Sequence, residues 1–382
     1  MSTRLSIICI WVCFILLLIM GIVMVASTGL SAPAPSPNTD SSSYIIKQGL
    51  FGMLGLALAL GVSAFDYHKL RRWVPLIWVG CVILLALCYV PGVGLTINGE
   101  SRWINLGITF QPSELAKISL MLAMASWYTT HREIAGTFWK GFAIPGGLIF
   151  GFPLLLILME KDMGTTAALA MSGFCVMYVA GARGWLILLS ILVGALALYI
   201  MTTSSENRMT RIEAWFDPQA YSQGAGRQQW IAMLAFARGG ITGVGLGNGI
   251  EKYGNLPFAH TDFIFAEVGE EWGFIGTVAV LTFYTFMTVA GIVLALQTQE
   301  TFGRILATGL VCTIFWPAAL NMMVVTSMLP NSGLPLPFIS YGGTNLVFTI
   351  AAIGLLTSIQ RHTPHIPPNY WPWRRIKENP KL

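Results

Sequence analysis

Residues 256–271 read LPFAHTDFIFAEVGEE. They close the longest polar interruption in a very apolar sequence and open a long apolar segment. Ionisable side chains crowd the start of the apolar part there: His260, Asp262, Glu267, Glu270 and Glu271. Charges at a membrane boundary are costly, so by default they mark a functional site with a nearby partner. Asp262 stands where a helix is expected to begin, and free N–H groups would keep its carboxylate ionised and able to accept a proton. The alternative is that Asp262 is only an N-cap and that the glutamates only complement the helix dipole.

Composition places the whole chain in a membrane. Of 382 residues, 55% are hydrophobic and 10% are charged, and the mean hydropathy is +0.67. These values predict an all-α, polytopic membrane protein with one integral membrane domain, residues 1–382. The net charge of +5 does not indicate a nucleic-acid partner, because the basic residues lie at helix ends and in the tail. All six cysteines fall in apolar segments, which favours core packing over disulfides or metal binding.

Apolar segments that could cross a bilayer recur about ten times along the chain. They cover residues 5–30, 44–64, 73–90, 112–128, 141–159, 164–181, 185–201, 263–296, 305–328 and 338–359. The stretch 263–296 is too long for one straight crossing, so we expect its first turns at the interface or lining a cavity. Residues 204–261 form the largest loop, and residues 361–382 form a tail.

Lysine and arginine gather in alternate short connections, which predicts the orientation of the chain. These connections hold Lys69, Arg71, Arg72, Arg132, Lys140, Arg183 and Arg304, and the basic tail falls on the same side. The positive-inside rule then predicts that both termini lie in the cytoplasm. The loop 204–261 and Asp262 are therefore expected on the outer face, where ATP is absent.

The glycine-rich run 239–249, GGITGVGLGNG, superficially resembles a phosphate-binding loop. No Lys-Ser or Lys-Thr follows it and no strand precedes it, so the nucleotide interpretation is weak. We expect instead a re-entrant segment whose backbone packs against protein or lines a cavity.

Other polar residues are predicted on the same outer face. Glu114 and Lys117 share one helix face at i,i+3 spacing, and either neutralise each other or serve a substrate. Asp162 lies between two spans and could equally belong to a plain loop. In the large loop a short interfacial helix is predicted, because its apolar side chains share one face and Arg208 and Arg211 lie off it.

Four motifs, in this order, resemble the SEDS proteins (FtsW, RodA and SpoVE). They are RWINLG at 102–107 with QPSELAK at 111–117, GVGLGN at 243–248, AHTDFIFA at 259–266 with GEE at 269–271, and LPFISYGG at 336–343. The Ala before His260 and the Asn-Gly before Arg102 are more typical of the division members than of the elongation members. One departure is Lys161, where the family usually has proline before the aspartate.

The resemblance implies a SEDS-type fold and an inverting peptidoglycan glycosyltransferase. Such an enzyme polymerises lipid II on the outer face of the bacterial cytoplasmic (inner) membrane during cell division. Asp262 matches the family's catalytic aspartate, which would take the proton of the attacking hydroxyl. The leaving diphosphate needs positive charge, from Arg and Lys side chains or from a divalent cation such as Mg²⁺ or Mn²⁺.

The substrate-binding candidates come from these motifs and, for the two arginines of the loop, from position alone. They are Arg102, Glu114, Lys117, Asp162, Arg208, Arg211, His260, Glu270 and Ser340. The implied partners are a class B penicillin-binding protein transpeptidase, other membrane proteins of the division complex, and the lipid bilayer. Two functions of other classes stay open, a lipid II flippase and a non-catalytic scaffold of the division complex.

Overall fold

The computed structural model describes residues 2–29, 42–97, 100–105, 109–203, 206–253, 256 and 259–364. These residues form twelve α-helices. They are α1 (Thr3–Gly29), α2 (Ser42–Ala64), α3 (Leu70–Leu87), α4 (Pro112–Thr130), α5 (Phe152–Met159), α6 (Met163–Val179), α7 (Gly184–Thr203), α8 (Glu206–Phe216), α9 (Arg227–Gly239), α10 (Ile264–Gln297), α11 (Thr301–Val325) and α12 (Gly343–His362). A π-helical segment, Trp139–Gly151, leads directly into α5.

The membrane spans agree with the prediction of about ten. Seven helical stretches are long and apolar enough to cross a bilayer, and α6 and α7 are shorter apolar helices. The helix α4, in the remaining predicted segment, is not one of these and carries the buried Glu114 and Lys117. It begins with Pro112 in the first turn, where a missing N–H costs nothing, and it packs against α3 and α11.

The helices pack into a bundle with α10 and α11 near its centre. The largest contacts join α2 with α12, α1 with α10, and α6 with α11. Between α3 and α4 lies a small antiparallel sheet that the sequence analysis did not predict. Its strands are β1 (Gly94–Ile97), β2 (Glu100–Asn105) and β3 (Thr109–Phe110), in the order β1-β2-β3. Arg102 therefore lies on a strand.

The long apolar stretch, whose first turns were expected at the interface or lining a cavity, is broken within α10 at Gly273. This glycine has a φ of 68°, in the left-handed region, and it divides the helix into a short first part and a membrane-spanning second part. The N–H groups of Phe274 and Ile275 donate to the carbonyls of Gly240 and Ile241, at 2.9 and 3.2 Å. The glycine-rich loop thus supplies the acceptors that the broken helix lacks.

The same loop confirms that the glycine run packs its backbone against protein. The N–H groups of Val244 and Gly245 donate to the carbonyls of Glu270 and Glu271, both at 3.0 Å. A Cβ added to Gly239 would overlap the carbonyl oxygen of Gly269, so α9 and α10 approach each other backbone to backbone. The helix α9, which the sequence analysis left within the large loop, is thereby docked on α10.

Candidate active site

The backbone around Asp262 is held by two neighbouring elements. Asn321, on α11, donates its side-chain N–H groups to the carbonyls of Asp262 at 2.7 Å and of Leu334 at 2.6 Å. The hydroxyl of Ser340 donates to the carbonyl of Thr261 at 2.6 Å. Asp262 is therefore fixed relative to α11 and to the loop of residues 326–342, which we call the α11–α12 loop.

The carboxylate of Asp262 is partly exposed and lies beside Gly333 of the α11–α12 loop. Gly333 has a φ of 66°, and a Cβ built on it would come 3.5 Å from Oδ2 of Asp262. The helix α10 begins at Ile264 with Phe263 as its N-cap. Asp262 precedes the cap, so the N-cap interpretation of this residue is wrong. The helix therefore begins one residue later than the sequence predicted.

Ser340 is buried and belongs to the framework of the site. Its hydroxyl accepts the N–H of Leu336 at 2.7 Å while it donates to Thr261, so both kinds of hydrogen bond are used. Its carbonyl accepts the side-chain N–H of Gln48, from α2, at 3.2 Å. The structure thus gives this predicted substrate-binding residue a positioning role. It also lies before α12, although the apolar pattern had placed it inside the last span.

Glu114 and Lys117 form the predicted pair. The Nζ of Lys117 lies 2.7 Å from Oε2 of Glu114, and both side chains are buried. Asn345, in the first turn of α12, donates to both carboxylate oxygens at 3.2 and 3.1 Å. The pair is therefore neutral and tied to α12, while Lys117 keeps two further N–H directions beyond its carboxylate partner.

Asp162 caps α6 and faces Arg102. Its Oδ1 accepts the N–H of Thr165 at 3.0 Å, and its Oδ2 lies 3.8 Å from a guanidinium nitrogen of Arg102. Lys161, just before it, has a φ of 65°. Proline cannot adopt that angle because its ring fixes φ near −65°. The departure from the family's proline therefore changes the backbone shape of this turn.

Glu160, at the end of α5, was not singled out as a site residue. It is 1% exposed, and neither carboxylate oxygen has a hydrogen-bond partner in the described part of the chain. Burial, and then the neighbouring Asp162 carboxylate, raises the pKa of Glu160 to about 8, which the more distant Arg102 does not offset. Glu160 is consequently a neutral acid at pH 7, and Asp162 is the carboxylate that faces Arg102.

The α11–α12 loop joins these groups to Asp262. A Cβ added to Gly164, in the first turn of α6, would overlap Leu334 and approach the carbonyl of Ser332. Gly333, between those two residues, lies beside Asp262, and Asn345, shortly after the loop, binds Glu114. The α11–α12 loop and the first turn of α12 therefore contact the helix that Asp162 caps, Asp262 itself, and Glu114 on α4.

The glutamates of the opening motif lie away from this loop. Glu270 is fully buried and accepts the N–H groups of Ile250 and Glu251 at 3.0 and 3.3 Å. Glu271 binds the Nζ of Lys252 at 2.6 Å. These carboxylates hold the glycine-rich loop, so the structure places Glu270 in a supporting position rather than a substrate-facing one. Lys252 lies in no motif and in no periodic pattern, so the sequence analysis did not predict its pairing with Glu271.

His260 belongs to an aromatic group that the sequence analysis missed. Its ring centroid lies 5.0 Å from that of Tyr44 and 5.9 Å from that of Tyr341, and the two tyrosine rings are 5.1 Å apart. Burial lowers the pKa of His260 below its ordinary value, so the imidazole is neutral at pH 7. Tyr341 lies within the LPFISYGG motif and could have been suspected, whereas Tyr44 lies at the start of α2 without any motif.

The two arginines that were chosen by position lie on α8. Arg211 is exposed, and of Arg208 the structure describes only its place in the helix. Among the described residues, no group of three or more His, Cys, Asp or Glu side chains is arranged to hold a metal ion.

The chain resembles proteins of one family over nearly its whole length. The profile of the family described as Cell cycle protein (FTSW_RODA_SPOVE) matches residues 7–365. A Geobacter metallireducens protein named Probable peptidoglycan glycosyltransferase FtsW is 37% identical over 340 residues, 89% of this chain and 90% of that protein. Stage V sporulation protein E of Bacillus subtilis is 32% identical over 350 residues, 91% of this chain and 95% of that protein.

Two solved structures share the fold. A chain from a structure described as "Structural coordination of polymerization and crosslinking by a peptidoglycan synthase complex" has a TM-score of 0.73 and 29% identity, covering 91% of this chain and 96% of that chain. The rod shape determining protein RodA of Thermus thermophilus has a TM-score of 0.69 and 28% identity, covering 92% of this chain and 95% of that chain.

Proposed function

Because the chain belongs to the FtsW, RodA and SpoVE family, we propose that it is a peptidoglycan glycosyltransferase that polymerises lipid II. One observation carries this proposal. The partly exposed carboxylate of Asp262 is held by backbone contacts, and the loop beside it also contacts the elements that carry Lys117 and Asp162, the partner of Arg102. Glycosyl transfer from a diphosphate requires a fixed base and cations, and here both are carried by elements that contact one loop.

The chemistry assigned to these residues is a direct displacement. The acceptor hydroxyl attacks the anomeric carbon of the donor sugar, and the bond to the diphosphate oxygen breaks, which inverts the configuration. Asp262 takes the hydroxyl proton as the new C–O bond forms. Lys117 and Arg102 stabilise the negative charge that develops on the leaving diphosphate.

Both cations begin the reaction already paired with carboxylates. Lys117 is bound to Glu114, and Arg102 faces Asp162. A paired cation keeps its remaining N–H directions for the substrate and costs less to bury than an isolated one. The carboxylates of Glu114 and Asp162 thus position the cations for the diphosphate.

The orientation and partners follow the same proposal. Asp262 faces outward and both termini are cytoplasmic, as the basic connections indicate. The protein works in cell division with a class B penicillin-binding protein that cross-links the new strand. Support comes from the relatives that bear the name FtsW and from the similar chain that is described as part of a peptidoglycan synthase complex.

The test compares lipid II polymer made by the purified wild type, Asp262→Asn and Asp217→Asn, each with its transpeptidase. Asp217 is an exposed aspartate at the end of α8 and serves as the matched control. Asp262→Asn should lower the rate at least about 10²-fold, because asparagine cannot take the proton. Its folding should be unchanged, because asparagine keeps the size of the aspartate side chain and Phe263 is the N-cap of α10. Asp217→Asn should match the wild type.

Each alternative function predicts a different result. A flippase would move lipid II across vesicle membranes with either aspartate or asparagine at position 262, and would make no polymer. A scaffold would bind its partner and do neither. Equal polymer yields from the wild type and Asp262→Asn would show that Asp262 is not the base.

A further inference from the structure

Three ring side chains from separate segments contact one another at His260, two residues before Asp262 in the chain. Tyr44 comes from the first turn of α2, His260 from the segment before α10, and Tyr341 from the end of the α11–α12 loop. Each ring is partly exposed. We call the three the aromatic triad.

The triad is rigidly mounted on the backbone that carries Asp262. The N–H of Tyr341 donates to the carbonyl of His260 at 2.9 Å. Gln48, one helical turn after Tyr44, donates to the carbonyl of Ser340 at 3.2 Å, which ties α2 to the same loop. The three rings therefore keep their mutual arrangement and their distance from Asp262.

The rings are inclined to one another rather than stacked. The interplanar angles are 52° between Tyr44 and His260, 80° between Tyr44 and Tyr341, and 60° between His260 and Tyr341. The Tyr44 and Tyr341 rings pack edge to face, so an edge covers part of one ring face, while all three residues of the triad stay partly exposed. Within the described residues, neither tyrosine hydroxyl and neither imidazole nitrogen of the triad takes part in a hydrogen bond. The polar groups and the exposed parts of the three rings are therefore accessible to a ligand.

We propose that the aromatic triad binds the sugar ring of the acceptor substrate and presents its hydroxyl to Asp262. This inference rests on the proposed function. A hexosamine has C–H groups that suit the electron-rich face of an aromatic ring, and hydroxyl and amide groups that suit phenol and imidazole tips.

The triad suits the acceptor sugar rather than the diphosphate. It contains no cation, because the imidazole of His260 is neutral at pH 7, so it lacks the charge that a diphosphate needs. The attacking hydroxyl must lie within hydrogen-bond reach of the base, and His260 is only two residues from Asp262. The cations belong to other elements, Arg102 to β2 and Lys117 to α4.

The experiment separates recognition of the sugar from recognition of the diphosphate and the lipid tail. Binding of lipid II and of undecaprenyl diphosphate, which lacks the sugars, is measured on detergent-solubilised Asp262→Asn protein, so that turnover does not interfere. Tyr44→Ala and Tyr341→Ala should each raise the Kd for lipid II about tenfold, the effect of losing an aromatic contact and a hydrogen bond. The Kd for undecaprenyl diphosphate should not change.

Matched variants guard against simple misfolding. Tyr44→Phe and Tyr341→Phe keep the ring faces and should recover most of the lipid II affinity. Tyr178→Ala removes an exposed tyrosine at the far end of α6 and should bind both ligands normally. In polymerisation assays with Asp262 intact, the alanine variants should raise KM far more than they lower kcat.

The outcomes distinguish this inference from the function on which it rests. A wild type that makes no polymer refutes the proposed function. If the wild type polymerises but the alanine variants bind lipid II normally, only the sugar-binding role of the triad is refuted. Equal loss of lipid II and undecaprenyl diphosphate would show that the rings merely support the fold, and would also refute it.

Discussion

Replacing Glu160 with glutamine should make the protein's stability less dependent on pH. Glu160 is 1% exposed, and its pKa is raised from 4.5 to about 8, by burial and then by the Asp162 carboxylate. Between these two pH values the folded protein holds a proton that the unfolded chain has released. Stability from this group is therefore fully present below the unfolded pKa and is lost as the pH rises through the folded one.

The size of the effect follows from the proton that is taken up on folding. One bound proton changes the free energy of unfolding by about 1.4 kcal/mol per pH unit, so the wild type should lose roughly 2–3 kcal/mol between pH 6 and pH 8 through this group. Glutamine has nearly the shape of the neutral acid and binds no proton. Between pH 6 and pH 8, Glu160→Gln should therefore gain stability relative to the wild type by that amount. Well above pH 8 the difference between the two proteins should stay constant.

The assay is unfolding of the purified protein in detergent, by heat or denaturant, at several pH values from 5 to 9. Glu133→Gln, at an exposed glutamate, is the control, and its stability should change with pH as that of the wild type does. Parallel stability curves for the wild type and Glu160→Gln would refute the reasoning, because they would mean that Glu160 ionises in the folded protein as it does in the unfolded chain.

Two further changes test the helix packing and the diphosphate site. Gly239→Ala should lower the free energy of unfolding by at least about 1–3 kcal/mol, because its Cβ would overlap backbone atoms of Gly269, whereas Gly80→Ala, with open space around its Cα, should cause no loss in the same unfolding assay. Lys117→Ala should abolish most lipid II polymerisation even when it is combined with Glu114→Gln to remove the unpaired buried charge; normal polymer yield from a stably folded double variant would limit the pair to a structural role.

The apolar segments and the spacing of a few charges were enough to predict much of this fold. Each of the ten apolar segments contains a helix of the structure, and residues 263–296, which looked too long for one straight crossing, contain the break at Gly273. The i,i+3 spacing of Glu114 and Lys117 predicted their ion pair. These features depend on local periodicity and on bilayer thickness, which the sequence contains directly.

Other features depend on contacts between distant segments, and the sequence did not reveal them. Asp262 looked like an N-cap, but tertiary bonds from Asn321 and Ser340 hold the turn before α10 and move the helix start to Ile264. The position of Tyr44 beside His260 depends on how α2 packs against α12, which no local pattern encodes.

The buried glutamates help to explain how the segment that follows the reactive carboxylate is held in place. Glu270 and Glu271 bind N–H groups of the glycine-rich loop, and Lys252 balances one of the two charges. Their carbonyls accept two more N–H groups of the same loop, so the first part of α10 is fixed along its length although Gly273 separates it from the membrane-spanning part.

A segment anchored in this way holds Asp262 in place through its backbone. Its backbone carbonyl accepts the bond from Asn321, and the helix cap lies at Phe263. The charges that looked equivalent in the opening motif thus divide into two roles, because the glutamates support the segment and Asp262 performs the proposed proton transfer.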